Sequence, residues 1–375
     1  MSAGTGPPSE STETSKEQPG HHARGIPRQD DDRVGTRFHL TDVATRPRLG
    51  YLPIMLAVFV STPAPKDPLS VLEVGERPEP EAPEGWTTIQ VKAVSLNHHD
   101  LFSLQGIGLP QERMPMILGT DAAGIDEDGN EVVVHGVVAS PDWTGDETLD
   151  PKRTLFSELH QGTMAEKVVV PKRNVLPKPA ELSFAEAACL PTAWLTAYRM
   201  LFVKSGLRPG QTVLVQGASG GVATALVVLG RAAGFRMWVT GRSEEKRAAA
   251  LAMGADQAFE TGARLPERVD GVMETVGEAT WSHSIKSLKP GGVVVTSGAT
   301  TGFNPGAELN RVFFTQLSVI GSTMGTRAEL ESLIQMCLAT GIRPQIDVEL
   351  PLADARQGFE RMLEGRTAGK IVFTL

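Results

Sequence analysis

Cysteine is almost missing: Cys189 and Cys337 are the only two in 375 residues. That excludes a disulfide framework and a multi-cysteine metal cluster, and it suits a reducing compartment. No block of Lys or Arg occurs and the net charge is −8, so neither nucleic acid nor an anionic membrane is expected as a partner. No uninterrupted apolar run approaches the roughly 20 residues needed to cross a bilayer. A signal-peptide apolar core is lacking, and Asp30, Asp31 and Asp32 argue against an organellar transit peptide. The expectation is a soluble cytoplasmic protein. Aliphatic residues are also scarce up to Leu49. Met1 to about Tyr51 is instead rich in Ser, Thr, Pro, Gly, Glu and Arg. Such a stretch buries too little apolar surface to offset its ordering entropy, so residues 1–54 read as a disordered tail. His21 and His22 on it read as an incidental pair.

What is present looks ordinary for a globular chain, at 41% hydrophobic and 21% charged residues. The length suffices for two domains at roughly 100–200 residues each. From Met55 onward, short strands are punctuated by Pro and Gly: Leu56–Val60, Leu69–Val74, Thr87–Leu96, Glu131–Val138, Thr163–Val170 and the stretch before Pro177. Asp128-Gly129-Asn130 marks a turn. Asn97–Leu104 and a segment opening at the Ser183/Glu186 capping box are the helical exceptions. Many short strands with little helix imply a small β-barrel-like domain.

Gln211 to Lys246 has a different grammar. Thr212–Gln216 is a β-branched, uncharged run suited to a parallel strand buried on both faces. Gly217, Gly220 and Gly221 break it, a helix follows over Val222–Ala233, and Phe235–Thr240 returns as a strand. A glycine turn between strand and helix N-terminus lets backbone N–H groups reach a pyrophosphate, with the helix dipole favouring its charge. Small residues also occur wherever a helix packs closely on a strand, but the complete strand–turn–helix–strand unit favours dinucleotide binding. Further strands at Val269–Val276, Gly292–Ser297 and Leu317–Ile320 alternate with helices at Glu244–Met253 and Glu278–Leu288, as in an open parallel sheet. Helices at Ala328–Ala339 and Ala353–Leu363 and a strand at Gly369–Phe373 close the chain. The run between Asp256 and Asp270 is short.

The motifs LNHHDL (Leu96–Leu101), LGTDAAG (Leu118–Gly124), LPTAWLTAY (Leu190–Tyr198), VLVQGASGGVATA, LKPGGVVV and the terminal GKIV together resemble the medium-chain dehydrogenase/reductase superfamily. The likeness runs from about Met55 to Leu375. Within the superfamily the chain is most similar to the zinc-independent quinone oxidoreductase, or ζ-crystallin-like, branch. That resemblance implies an α/β fold: a Rossmann doubly wound parallel sheet over residues 179–322, and a GroES-like β-barrel catalytic domain over 55–178 and 323–375. The C-terminal segment closes the catalytic domain and the cofactor lies in the cleft. It also implies a homodimer, commonly joined through edge strands of the two Rossmann sheets.

In zinc enzymes of the superfamily three motifs supply the metal ligands. The matching positions here carry Asn97, Thr120 (in Gly119-Thr120-Asp121) and Thr192. Zinc prefers thiolate or imidazole, and an amide with two hydroxyls holds it poorly, so no metal is expected. The four-cysteine structural zinc lobe is absent too. His98 and His99 with Asp121 are the only material for a substitute site, and neighbouring side chains on a helix point in different directions.

NAD-specific relatives end the second Rossmann strand on an acidic residue. Here Thr240-Gly241-Arg242-Ser243 stands there with Lys246 one turn on, offering a guanidinium, a hydroxyl, an ammonium and a helix N-terminus to a 2′-phosphate. NADPH is therefore the expected cofactor. By the same resemblance Asn97 lies beside the nicotinamide ribose and carboxamide, Asp100 supports that loop, and Thr196 approaches the nicotinamide. Ser219, Gly220, Gly221 and Val222 form the pyrophosphate turn. Ser297-Gly298 and Thr323-Met324 wall the cleft, and Lys370 is a further cofactor candidate.

Without a metal, the hydride acceptor must stabilise its own anion or find a proton. A quinone or activated carbonyl compound meets that need once two rings are positioned in a dry cleft. Enoyl-thioester reduction calls for a placed acid, a tyrosine in relatives, and Gln105-Gly106-Ile107-Gly108 contains none. His98 or His99 could replace it. An alcohol/aldehyde pair is the second enzyme reading, and an NADPH-binding protein without turnover is the non-enzyme one. Pocket-shaping loops such as Pro141–His160, with Trp143 and Phe156, leave the small-molecule substrate open.

Overall fold

The computed structural model describes residues 53–375; the expected tail up to Leu52, with its two histidines, lies outside the described residues, while Ile54, expected to end that tail, opens the first strand. The first strand, β1 (Ile54–Val60), pairs antiparallel with β2 (Leu72–Pro78). The strand expected at Leu69–Val74 therefore starts late. Pro68–Val71 forms a single tight helical turn with Pro68 at its first positions, where its missing N–H costs nothing. Next come β3 (Trp86–Ser95), α1 (His98–Leu104), β4 (Met116–Ile117), β5 (Ala122–Ile125), β6 (Glu131–Val134), β7 (Val137–Val138), β8 (Thr154–Leu155), β9 (Lys167–Pro171) and β10 (Val175–Pro177). The run expected as one strand over Glu131–Val138 breaks at His135-Gly136, where the His135 ring reaches the carbonyl of Gly325 at 2.8 Å. The strand expected from Thr163 begins only at Lys167. Gly162, Thr163 and Met164 spend their N–H groups on the carbonyls of Ile117, Gly119 and Leu118 instead.

Helix α2 (Phe184–Ala188) opens on reciprocal Ser183–Glu186 bonds of 3.1 and 2.8 Å. It continues through wider-coiled turns on either side of α3 (Leu195–Tyr198). The open sheet follows as β11 (Thr212–Val215), α4 (Gly221–Ala232), β12 (Arg236–Gly241), α5 (Glu244–Ala252), β13 (Gln257–Glu260), β14 (Val269–Glu274), α6 (Glu278–Ser287), β15 (Leu288–Thr296), α7 (Leu309–Phe314) and β16 (Ser318–Gly321). Its strands run parallel in the order β13-β12-β11-β14-β15-β16. All of β11 is buried, as its uncharged β-branched sequence requires. The crossover from β13 to β14 carries no helix, and β13, at the edge of the sheet, is a four-residue strand that its sequence does not announce.

After α8 (Arg327–Thr340) the chain returns to the first sheet as β17 (Ile346–Pro351), α9 (Ala355–Leu363) and β18 (Lys370–Thr374). β18 inserts antiparallel beside β3, pairing Val372 with Ser95 and Phe373 with Val94. The main order there is β10-β6-β5-β3-β18-β17, with β9 also on β3. The C-terminal strand thus completes the GroES-like sheet, and its register carries Lys370 to the end of β3, next to Leu96 and Asn97. No helix among the described residues is long and apolar enough to span a membrane.

Candidate functional site: a cleft between the glycine turn and the end of β3

The parallel sheet changes direction between β11 and β14, and ligands of open α/β sheets bind outside the strand ends at such a switch point. The glycine turn sits there. Gly217 has φ +93°, a conformation L side chains avoid. A Cβ on Gly220, at the N-cap of α4, would touch nothing, leaving open space over the helix N-terminus. A Cβ on Gly221 would come within 2.7 Å of Cδ of Lys370. Ser219 accepts the N–H of Gly369 at 2.9 Å through its carbonyl, and Val222 is half-buried in the first turn. Ser297 and Gly298 lie half-buried just beyond β15, while Met324 is buried with φ +46° beside exposed Thr323.

At the far end of β12, Arg242 is exposed and Ser243 caps α5 by accepting the Lys246 N–H at 3.3 Å. The Lys246 ammonium donates to the carbonyl of Gly365, in the turn between α9 and β18. Burial lowers the Lys246 pKa, and the like charge of Arg242 lowers it further, ahead of the opposing effect of Glu245. The charge of Arg242 thus opposes that of Lys246, an arrangement that an anion between them would relieve. Thr240 is turned away from it: its hydroxyl is buried and donates to Gln216 at 2.7 Å. Gly365 had no signal in the sequence, because 119 residues separate it from Lys246.

At the other end the side chains converge on Asp121. The Asn97 amide nitrogen donates to Asp121 Oδ2 at 2.8 Å and stands 3.3 Å from Thr120 Oγ1. Thr192 donates to Asp121 Oδ1 at 2.5 Å and lies 2.9 Å from Thr120 Oγ1, and Ser95 donates to Oδ2 at 2.5 Å. Lys370 enters from β18 and donates to Asn97 Oδ1 at 2.6 Å and to the Leu96 carbonyl at 2.8 Å, with its ammonium 3.7 Å from Asp121. Thr196 is buried on the neighbouring α3. Asp100 does not reach this cluster. It accepts the N–H groups of Asn97 and Gly119 at 2.8 and 2.9 Å, and complete burial pushes its pKa up to about 6.

His98 and His99 do point apart. His98 is exposed and makes no side-chain hydrogen bond with another described residue. His99 turns to Glu158 at 3.2 Å and to Ser157 at 3.4 Å. Burial alone would depress its pKa, but the Glu158 hydrogen bond and the charges of Asp100, Glu158 and Asp121 outweigh that and raise it. The loop over Pro141–His160 is held in place: buried Arg199 ties its Asp146 and Thr148 to Glu329 at the start of α8. Phe156 is core, and Trp143 bonds the Asp146 carbonyl at 3.0 Å.

A parallel sheet with an anion-ready glycine turn, facing a buried polar cluster on a GroES-like sheet, defines an NAD(P)-dependent oxidoreductase. The chain belongs to the medium-chain dehydrogenase/reductase superfamily. Residues 83–180 match the alcohol dehydrogenase GroES-like domain and residues 221–339 the zinc-binding dehydrogenase domain. Acryloyl-coenzyme A reductase of Metallosphaera sedula is 29% identical over 80% of this chain and 96% of its own length. Quinone oxidoreductase of Mus musculus is 28% identical over 76% and 88%. The crystal structure of an NAD-dependent alcohol dehydrogenase superposes with a TM-score of 0.79 at 32% identity, covering 86% of this chain and all of that one.

The family description invites zinc, and the residues present do not fit it. Among the described residues no group of three or more His, Cys, Asp or Glu side chains could hold a metal ion. The side chains at the family's ligand positions bond one another instead, their donor set is amide and hydroxyl, and the nearest carboxylate already faces an ammonium.

Proposed function

We propose that the chain is a zinc-independent, NADPH-dependent reductase that delivers hydride to a quinone or another activated carbonyl or enone. The observation that carries this reading is the polar cluster of Asn97, Thr120, Asp121, Thr192 and Lys370. It offers no Lewis acid to an alcohol or simple aldehyde, so the acceptor has to delocalise the negative charge it receives. The bound dinucleotide supplies the hydride. The glycine turn and the N-terminus of α4 hold its pyrophosphate, Arg242, Ser243 and Lys246 its 2′-phosphate. Asn97 and Thr196 orient the nicotinamide, which is where positioning lowers the barrier. The similarity to a quinone oxidoreductase supports this acceptor class. Purified full-length protein should oxidise NADPH far faster than NADH with a panel of quinones and conjugated enones, and carry no stoichiometric zinc. Silence across that panel would sink the proposal.

Conjugated thioester reduction is the second reading, favoured by the likeness to acryloyl-coenzyme A reductase. Tyr198, the tyrosine among the described residues, packs on Phe202. We also propose a homodimer through β16, the edge strand of the parallel sheet. Val319 on that strand and Leu309, Phe313 and Phe314 on adjacent α7 are all exposed, the last at 78%. A Val319→Pro, Phe314→Asp variant should sediment as a monomer if the edges pair.

A further inference from the structure

We infer that Lys370 is the built-in cation of the nicotinamide end: it holds the Asn97–Asp121–Thr192 cluster in one arrangement and bars a divalent metal from it. The inference rests on that cluster and not on the acceptor proposed above.

Three observations carry it. First, the antiparallel register of β18 on β3 brings Lys370 to the end of β3, and its 3% exposure leaves the ammonium dependent on protein partners. Second, its stem crosses the glycine turn where Gly221 and Ala193 leave room, so the charge lies beyond the turn, at Asn97 and Leu96. Third, the oxygen atoms that could face a metal are engaged. Asn97 Oδ1 accepts from Lys370, Asp121 Oδ1 from Thr192, and Asp121 Oδ2 from Ser95 and Asn97. The Asp121 carboxylate faces the Lys370 ammonium, and adding a divalent ion would place a second cation beside the first in a space of low dielectric. Lys370 is then a positioning residue. By binding Oδ1 it fixes which way the Asn97 amide faces, and so which group the nicotinamide side meets.

Two measurements test this. The first grafts metal ligands into the full chain as Asn97→Cys, Thr120→His and Thr192→Cys, with Lys370 kept or replaced as Lys370→Met. Cobalt(II) is titrated and followed by its thiolate charge-transfer absorption. The graft carrying Lys370→Met should bind cobalt at least about tenfold more tightly than the graft that keeps the lysine; equal affinities would overturn the inference. The second uses Lys370→Met alone and the binding of 2′-phospho-ADP-ribose, which has the pyrophosphate but no nicotinamide. A change below about fivefold is expected, because an ammonium placed at Asn97 does not serve the pyrophosphate. A larger loss would assign Lys370 to the phosphates and overturn the inference even if the graft fails to fold.

Discussion

The two ends of the cleft handle positive charge in opposite ways. At the adenosine end, Arg242 and Lys246 lie close enough for their repulsion to outweigh the influence of Glu245, and Arg242 is exposed. At the nicotinamide end, Lys370 is buried, donates to Asn97 and Leu96, and faces Asp121. Charge left uncompensated in a native structure is available to a ligand, whereas charge compensated within the fold organises the protein around it. In the proposed site one end therefore receives an anion and the other holds a fixed polar surface. Substitutions at the two ends should show this difference in kind, with binding lost at the first and stability at the second.

The largest effect is expected from Asp121→Asn. It removes the carboxylate that balances Lys370 and leaves a buried ammonium without a counterion, a change that typically costs about 3–5 kcal/mol. Denaturant unfolding should show the loss directly. A variant as stable as the parent would mean that Lys370 is not compensated by Asp121, and the contrast between the ends would fail. Next comes Arg242→Asp, which in the proposed site turns the charge facing the 2′-phosphate from attraction to repulsion. The ratio of kcat/KM for NADPH over NADH should fall by about 3 kcal/mol, somewhat more than a hundredfold, with stability little changed. An unchanged ratio would remove Arg242 from the cofactor site.

How far these ends were legible beforehand follows from the kind of signal each carries. The glycine turn, Arg242, Ser243 and Lys246 lie within one strand–helix–strand unit, so local spacing was enough to gather them. The absence of cysteine and histidine at the ligand positions was equally plain, and the motifs around Asn97, Asp121 and Thr192 marked their segments. What local pattern could not show was that these segments close on one another. Thr192 reaches Asp121 across 71 residues and Lys370 reaches Asn97 across 273. The terminal GKIV motif marks Lys370 only as a further cofactor candidate, while the strand register that brings it to Asn97 is a tertiary fact. Similarly, the strand expected at Leu69–Val74 shifted because Pro68 opened a turn, and the one at Thr163 because its backbone bonds elsewhere.

Asp100 marks where compensation at the nicotinamide end is incomplete. Its carboxylate is fully buried and accepts two backbone N–H groups, yet burial dominates and its pKa rises from an ordinary 3.8 to about 6. A carboxyl whose folded pKa is raised stabilises the fold in full below its unfolded value, and that contribution is lost as pH climbs through the folded one. The chain should therefore lose about 2–3 kcal/mol between pH 4 and 7 relative to Asp100→Asn, which does not titrate. The amide of that variant faces one of the two N–H groups, but this penalty is independent of pH and drops out of the difference curve. A flat difference would show that every charge at this end is balanced.

The smallest effect separates fold from ligand at the adenosine end. Ser243 caps α5 through the Lys246 N–H and, in the proposed site, also offers its hydroxyl to the 2′-phosphate. Ser243→Ala should cost about 1 kcal/mol of stability, whereas Ser243→Gly should cost only a few tenths because glycine is tolerated at an N-cap. Both remove the hydroxyl. If that group serves only the helix, NADPH affinity should follow stability and fall for alanine alone. If it serves the phosphate, both variants should lose NADPH affinity by roughly the same few-fold factor, as expected for one hydrogen bond to a charged group, while NADH affinity stays put. The second outcome is expected, since a hydroxyl that accepts the Lys246 N–H keeps its own O–H to donate to a phosphate oxygen.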